Sequence, residues 1–375
     1  MPTSQTVFSL WFFSKAVFLF VGFLSASLVF SEDAKKLNVL NWNDYIAPQT
    51  IDRFEQETGV QVNYQQFDNN ESLEQMLLDD PDGFDLVVPS ADFMARQLQR
   101  DFYSPIDKAQ LSNYKYLDPQ LLKSLELMDP GNRFSIPYLW GTTGIAYNSK
   151  LVEAALGDGA DISSWSVLFA PELVSKLSDC GVAFLDSPSE VFPVVLNYLG
   201  RSPNSRNSAD YRGVVQDLLV NVAPHVKYFH SSDYIDDLAN GKICVAMAWS
   251  GDVFQAIERA SPEVAPEIRY IIPNEGAAVW VDVIAIPKQA KNKKAAHAFI
   301  DFLLRPKVIA EITNYVSYAN PNLAADLLVK PEVMANKGVY PSDEVRSKLY
   351  VVEPVPSALQ QTIERTWYEI KAGAR

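Results

Sequence analysis

Beyond the first thirty-odd residues, apolar positions recur along the chain at two spacings. Residues 37–41 and 84–88 are short, nearly continuous apolar runs, and 60–67 alternates apolar with polar positions, so all three read as strands. Between them, 48–58 places Ile51 and Phe54 on one helical face, and 71–79 groups Leu73, Met76 and Leu77. This strand–helix–strand–helix–strand order predicts a mostly parallel sheet covered by helices on both faces. The pattern returns later, with 181–185 and 243–249 as strands and 188–199 and 253–260 as helices. Pro193 falls inside the first of these helices and should kink it or delay its regular start. There is no internal repeat and no low-complexity linker. Two α/β lobes joined by strands that cross between them fit this layout better than one large sheet.

The first thirty-one residues stand apart. One cation, Lys15, precedes an apolar stretch over 16–30 with Gly22, Ser25 and Ala26 interspersed. That is the length of a secretory h-region and short of the roughly 20 residues a membrane span needs. Val29 and Ser31 form a small-residue cleavage site before Glu32, so 1–31 is read as a signal peptide that is removed on export. The alternative is an uncleaved anchor over 7–30 with Lys15 snorkelling. No cysteine lies near the cleavage site, which argues against a lipid anchor. Export places the two cysteines, Cys180 and Cys244, in an oxidising compartment, where a pair is more often bridged than catalytic. Closing that loop would stabilise the fold by about 4 kcal/mol on the chain-entropy model.

The length of 375 residues suggests two or three domains, and 48% apolar with 21% charged residues is an ordinary globular composition. Acidic residues outnumber basic ones by 46 to 32, a formal charge of −14. Such a chain is poorly suited to sequence-independent nucleic-acid binding, which relies on clustered Lys and Arg. Two cysteines are too few for a disulfide scaffold or a Cys-rich zinc site.

Ligands of open α/β sheets bind beyond the carboxyl ends of strands, and five strand segments here carry polar and aromatic residues. They are Asn41-Trp42-Asn43-Asp44-Tyr45, Pro89-Ser90-Ala91-Asp92-Phe93, Asp186-Ser187-Pro188-Ser189-Glu190, Trp249-Ser250-Gly251-Asp252 and Trp280-Val281-Asp282. Together they supply carboxylates and aromatics but no Arg or Lys. That set suits a ligand with cationic ends and an apolar body. Taken singly, most members also have a purely structural reading. Glu190 completes a capping box with Ser187, Asp252 can cap a helix, Asp44 can sit in a turn, and Trp42 and Trp249 can be core aromatics. Asp282 is harder to explain structurally. A carboxylate inside the apolar run 277–286 needs a partner or a shifted pKa, although an internal salt bridge would also serve.

Enzyme readings find little support. His225, His230 and His297 show no metal-ligand spacing, and His297, following Lys293-Lys294 on an amphipathic helix, reads as a surface residue. There is no G-x-S-x-G elbow, Walker A loop or G-x-G-x-x-G fingerprint. Gly141-Thr142-Thr143-Gly144 is a weak phosphate-loop candidate and is better read as a turn where the chain crosses between lobes.

Several strings resemble the periplasmic polyamine-binding proteins of ABC importers. They are Asn41-Trp42-Asn43-Asp44-Tyr45-Ile46-Ala47-Pro48, Phe84-Asp85-Leu86-Val87-Val88-Pro89-Ser90, Pro137-Tyr138-Leu139-Trp140-Gly141-Thr142-Thr143-Gly144, Val195-Leu196-Asn197-Tyr198-Leu199-Gly200, Tyr228-Phe229-His230-Ser231-Ser232 and Tyr318-Ala319-Asn320. The resemblance covers nearly everything from Leu37 to the C-terminus and is greatest for the putrescine-binding branch. It implies a type II periplasmic binding fold, with 37–139 plus 282–317 as one lobe and 140–281 plus 318–375 as the other. It also implies a monomeric receptor for an importer permease, without catalysis, cofactor or metal.

Carried over by position, the resemblance implies that Trp42, Tyr45, Trp249, Trp280 and Tyr318 wall the pocket. Asp44, Glu190, Asp252 and Asp282 would then face the amines, with Asn43 and Ser90 adding hydrogen bonds. Tyr318 is suggested by the resemblance alone, which also pairs Cys180 with Cys244. Asn43 stands where putrescine binders usually have Ser, and Trp280 where they usually have Phe. Asp92 adds a carboxylate near the mouth that could meet an extra amine or simply sit as an acid at a helix start. A sugar receptor of the same fold is the main rival. A ferric-ion receptor would offer neighbouring tyrosines, and no Tyr-Tyr pair occurs.

Overall fold

The computed structural model describes residues 36–373; the signal-peptide assignment lies outside the described residues. The first half follows the expected order: β1 (Lys36–Trp42), α1 (Gln49–Thr58), β2 (Gln61–Phe67), α2 (Asn70–Asp79), β3 (Leu86–Val87) and α3 (Ala91–Leu98). β2 and β3 both pair with β1 in parallel. Phe54 explains the docking of α1: it is fully buried, with its ring 4.8 Å from Phe299 and 5.4 Å from Phe302. β3 is shorter than its apolar run. Asp85, just before it, bonds its backbone N–H to the Asn38 carbonyl of β1 at 2.8 Å, and its side chain accepts from the backbone N–H groups of Asn38 and Asn292.

After the short strand β4 (Tyr103–Ser104) comes β5 (Ser135–Asn148), fourteen residues long. The second half is built from β6 (Val182–Phe184), α4 (Pro188–Tyr198), β7 (Tyr228–Phe229), α5 (Asp233–Ala239), β8 (Val245–Trp249) and α6 (Ser250–Arg259). β9 (Ile268–Ile271), β10 (Ala278–Pro287), α7 (Lys293–Leu303) and β11 (Tyr350–Val351) follow. β6 pairs in parallel with both β7 and β8. The order is β2-β1-β3-β10-β5-β8-β6-β7. β5 joins the two parallel sets: residues 135–142 pair with β10, 143–147 with β8, and 145–148 with β9 on the edge opposite β8, all antiparallel.

Two sequence expectations are corrected, at Gly141–Gly144 and at His297, and Pro193 falls inside its helix as expected. Gly141 to Gly144 form no turn but lie inside β5. These glycines are needed for close approach. A Cβ on Gly141 would come within 2.8 Å of the Trp280 ring, and one on Gly144 within 2.4 Å of the Ile271 carbonyl oxygen. His297 is buried, not superficial. Its Nε2 lies 3.0 Å from the Asp107 backbone N and its Nδ1 2.7 Å from the Lys293 carbonyl oxygen. Pro193 sits within one continuous helix, α4. In the second turn it forfeits a single backbone bond, a loss that burial of Val191, Phe192, Val194 and Val195 offsets.

The expected bridge joins Cys180 and Cys244, with Cα atoms 5.5 Å apart. It ties the turn before β6 to the start of β8.

Candidate functional site

The ends of β1 and β8, the first turn of α4, and β10 converge on one pocket. It encloses about 420 Å³ of space between atoms, including the open solvent at its mouth. Trp42, Asn43, Tyr45, Ser90, Glu190, Trp249, Asp252, Trp280, Asp282 and Tyr318 all line it. Ten of the twelve ligand-site candidates are thus brought together. Asp44 and Asp92 are not among the lining residues. Asp44 adopts a left-handed φ of 52°. That turn leaves Trp42 and Tyr45 on the pocket wall and sends the Asp44 carboxylate to Arg259, 3.1 Å away. Asp92 lines an adjacent cavity with Arg96, Ser189, Phe192 and Glu353.

Asp282 is 3% exposed and Asp252 6%. Ser90 Oγ and the Tyr45 phenol each donate to Asp282 at 2.7 Å. Asp252 receives the phenols of Tyr318 at 2.6 Å and Tyr234 at 2.5 Å. Glu190 accepts from Thr143 Oγ1 at 2.7 Å, and Thr143 in turn takes the Trp280 indole N–H at 3.2 Å. Neither structural reading of these acids holds. Ser187 makes no side-chain cap to α4 and Glu190 points to Thr143, so no capping box forms. Asp252 sits inside the first turn of α6, bonded to the two phenols and not to the helix end.

Burial raises the pKa of all three acids. Asp282 is pushed up to about 7 by desolvation, which the Ser90 and Tyr45 bonds only partly oppose. Glu190 also rises to about 7, with nearby Asp92 and Glu71 adding to the effect of burial. Asp252 rises to about 6. Among the described residues, no Lys or Arg lines the pocket, and no ion pair includes any of the three. An ionised carboxylate offers about four lone-pair sites, so two hydroxyl donors leave each Asp able to accept more.

The walls are aromatic. The Trp42 and Trp249 rings meet edge to face at 5.5 Å, and Trp280 lies 5.4 Å from Tyr318. Such faces hold methylenes and cations alike. The arrangement favours a cation with apolar spacing between its charges. Among the described residues, no group of three or more His, Cys, Asp and Glu is placed to hold a metal.

Residues not expected from the sequence complete the site. Phe67, Asp68, Ser231, Ser232 and Ile235 line the pocket, while Thr143 and Tyr234 hold carboxylates from behind. Phe67, Asp68, Ser231 and Ser232 had a usable signal, since they lie at or just beyond the carboxyl ends of β2 and β7. Tyr234 had none; on an amphipathic helix it reads as core.

Comparison with known proteins agrees with this architecture. Residues 49–340 match the family model described as bacterial extracellular solute-binding protein. The putrescine-binding periplasmic protein PotF of Escherichia coli K12 is 49% identical over 342 residues, covering 91% of this chain and 92% of the relative. The putrescine-binding periplasmic protein SpuD of Pseudomonas aeruginosa UCBPP-PA14 is 46% identical, covering 93% and 95%. Among solved structures, a putative spermidine/putrescine ABC transporter from Listeria monocytogenes superposes with a TM-score of 0.81 at 32% identity, covering 90% of this chain and 99% of that one. The substrate-binding protein PotD of Streptococcus pneumoniae gives 0.71 at 30%, covering 91% and 100%. With the matched model spanning most of its length and a fold shared with such structures, the chain belongs to the family of bacterial extracellular solute-binding proteins.

Proposed function

We propose that the protein is a periplasmic receptor that captures a polyamine, putrescine or spermidine, and delivers it to the permease of an ABC importer. The observation that carries this reading is the pair of buried carboxylates Asp282 and Asp252 with the half-buried Glu190, bonded only to neutral donors inside an aromatic pocket that, among the described residues, no Lys or Arg lines. Burying unpaired charge is costly, and a ligand bearing ammonium groups supplies the missing partners. The names of the relatives point to the same ligand class. Trp42, Tyr45, Trp249, Trp280 and Tyr318 would cover the methylenes, and Asn43 and Ser90 would add polar contacts. The receptor acts as a monomer and catalyses no reaction, after export and removal of residues 1–31.

The lobes are 37–139 with 282–317, and 140–281 with 318–375. Asp282 belongs to the first, while Glu190 and Asp252 belong to the second, so ligand binding favours their closed arrangement. Calorimetry against putrescine, spermidine, cadaverine and maltose tests the reading. A six-heavy-atom diamine reaches about −9 kcal/mol at best, a sub-micromolar dissociation constant. Heat from maltose and none from the polyamines would overturn the reading. Solution scattering should show a smaller radius of gyration on saturation.

A further inference from the structure

Glu71, in the first turn of α2, is a carboxylate that the pocket does not use. Ser187 Oγ lies 3.2 Å from its Oε2 and 3.5 Å from its Oε1, and the hydroxyls of Ser187 and Ser189 are 2.9 Å apart. Ser187 occupies the N-cap position of α4 yet makes no cap of its own. Its hydroxyl is held instead by α2, an element on the opposite set of strands. α4 is eleven residues long, and the residue after Ser189 is Glu190.

The neighbouring residue on α2 performs a parallel task. Asn70 Nδ2 donates to Ser90 Oγ at 3.0 Å, and Asn70 Oδ1 accepts the Ser90 N–H at 3.0 Å. Ser90 in turn donates to Asp282. Two consecutive side chains at one helix end thus reach the supports of two pocket carboxylates.

We propose that Glu71 is a positioning residue that holds Ser187, the N-cap residue of α4, from across the cleft and so sets Glu190 at the angle at which it meets the ligand. The proposal rests on the polyamine-receptor reading for its ligand and extends it to a residue outside the pocket. A carboxylate bonded to the N-cap hydroxyl anchors the first turn and complements the helix dipole. Here that stabilisation exists only while α2 and α4 are apposed, so it adds to the liganded arrangement and not to the folding of either lobe. Burial holds the Glu71 carboxyl near 7, with the two serines opposing the rise.

The test compares Glu71→Ala and Glu71→Gln with the unaltered protein by putrescine calorimetry, melting of the unliganded form, and amide exchange at Ser189. The alanine variant should lose about tenfold in affinity. The glutamine variant keeps an acceptor oxygen and should recover to within about threefold. Neither should shift the unliganded melting temperature by more than about 2 °C, and Ser189 should exchange faster in the alanine variant alone. Unchanged affinity with unchanged Ser189 exchange in Glu71→Ala would overturn the proposal. So would equal losses of affinity and unliganded melting temperature in both variants, which mark a folding role. If the unaltered protein binds no polyamine, the receptor reading fails separately. Ser189 exchange then decides alone: faster in Glu71→Ala, as the first turn of α4 loosens, supports the anchor, and unchanged overturns it.

Discussion

The Tyr45 and Tyr318 rings meet edge to face at 5.0 Å, and each phenol donates to a different buried acid, Tyr45 to Asp282 and Tyr318 to Asp252. One aromatic contact therefore fixes the spacing of two carboxylates that arrive on separate elements. Both acids keep spare acceptor capacity on the side not taken by a phenol.

Asp282→Asn should lower putrescine affinity by about 30- to 5,000-fold, the range that follows from about 2–5 kcal/mol for losing one partner of a desolvated charge pair. The unliganded variant should melt at or above the temperature of the unaltered protein, because a buried charge without a counterion has been removed. Calorimetry and a thermal melt on one preparation check this. Near-normal affinity with a sharply lower melting temperature would assign Asp282 a structural role.

Acidification should act in opposite directions on binding and on stability. Asp282 and Glu190 near 7 and Asp252 near 6 all lie above the ordinary carboxylate range. Across that window the native state holds protons that the unfolded chain has released, so these groups' contribution to stability falls as pH rises through their folded pKa values. The unliganded protein should gain stability from them between pH 8 and pH 5.5. Putrescine affinity should fall by about tenfold or more over the same change, and binding at pH 7 should release protons. Calorimetry in buffers of different ionisation enthalpy reads that release directly.

Gly251→Ala tests the tyrosine support of Asp252. A Cβ at this position would come within 2.4 Å of the Tyr318 ring, so the ring must move away from the Asp252 carboxylate. Overpacking of this kind costs about 1–3 kcal/mol. Affinity should fall by more than about tenfold, accompanied by a modest drop in unfolding free energy in urea.

Loss of the Cys180–Cys244 bridge should separate stability from binding. The bridge spans 64 positions, and removing it by Cys180→Ser with Cys244→Ser should cost about 4 kcal/mol in denaturant titrations. Neither cysteine lines the pocket, so putrescine affinity in the folded variant should stay within about twofold.

Much of this architecture was legible before any coordinates. The parallel strands and their helices follow from apolar spacing, and Asp282 is conspicuous because a carboxylate interrupts an apolar strand. Trp42, Glu190 and Trp249 became legible only as a group, at strand ends. The rest depended on tertiary geometry. Charge at Lys293 and Lys294 concealed that His297 shares the buried face of α7 with Ile300. Gly141 and Gly144 read as a turn because close approach by Trp280 and Ile271 leaves no local mark. Asp44 looked like a pocket acid until Arg259, 215 positions along the chain, took its carboxylate.

β5 carries a further consequence, for insertions and deletions. Its residues 135–142 are in register with β10 and 143–147 with β8, so a single chain sets the alignment of both ladders. Adding one residue between Thr142 and Thr143 would exchange inward and outward faces on one side only. Thr143 would turn from Glu190, and a side chain would enter a space that only glycine leaves open. The surface turn around Gly157 and Gly159, where an added Cβ meets nothing, should accept changes in length. Relatives that keep this pocket should therefore vary in length at such turns and hold the span from Ser135 to Asn148 constant.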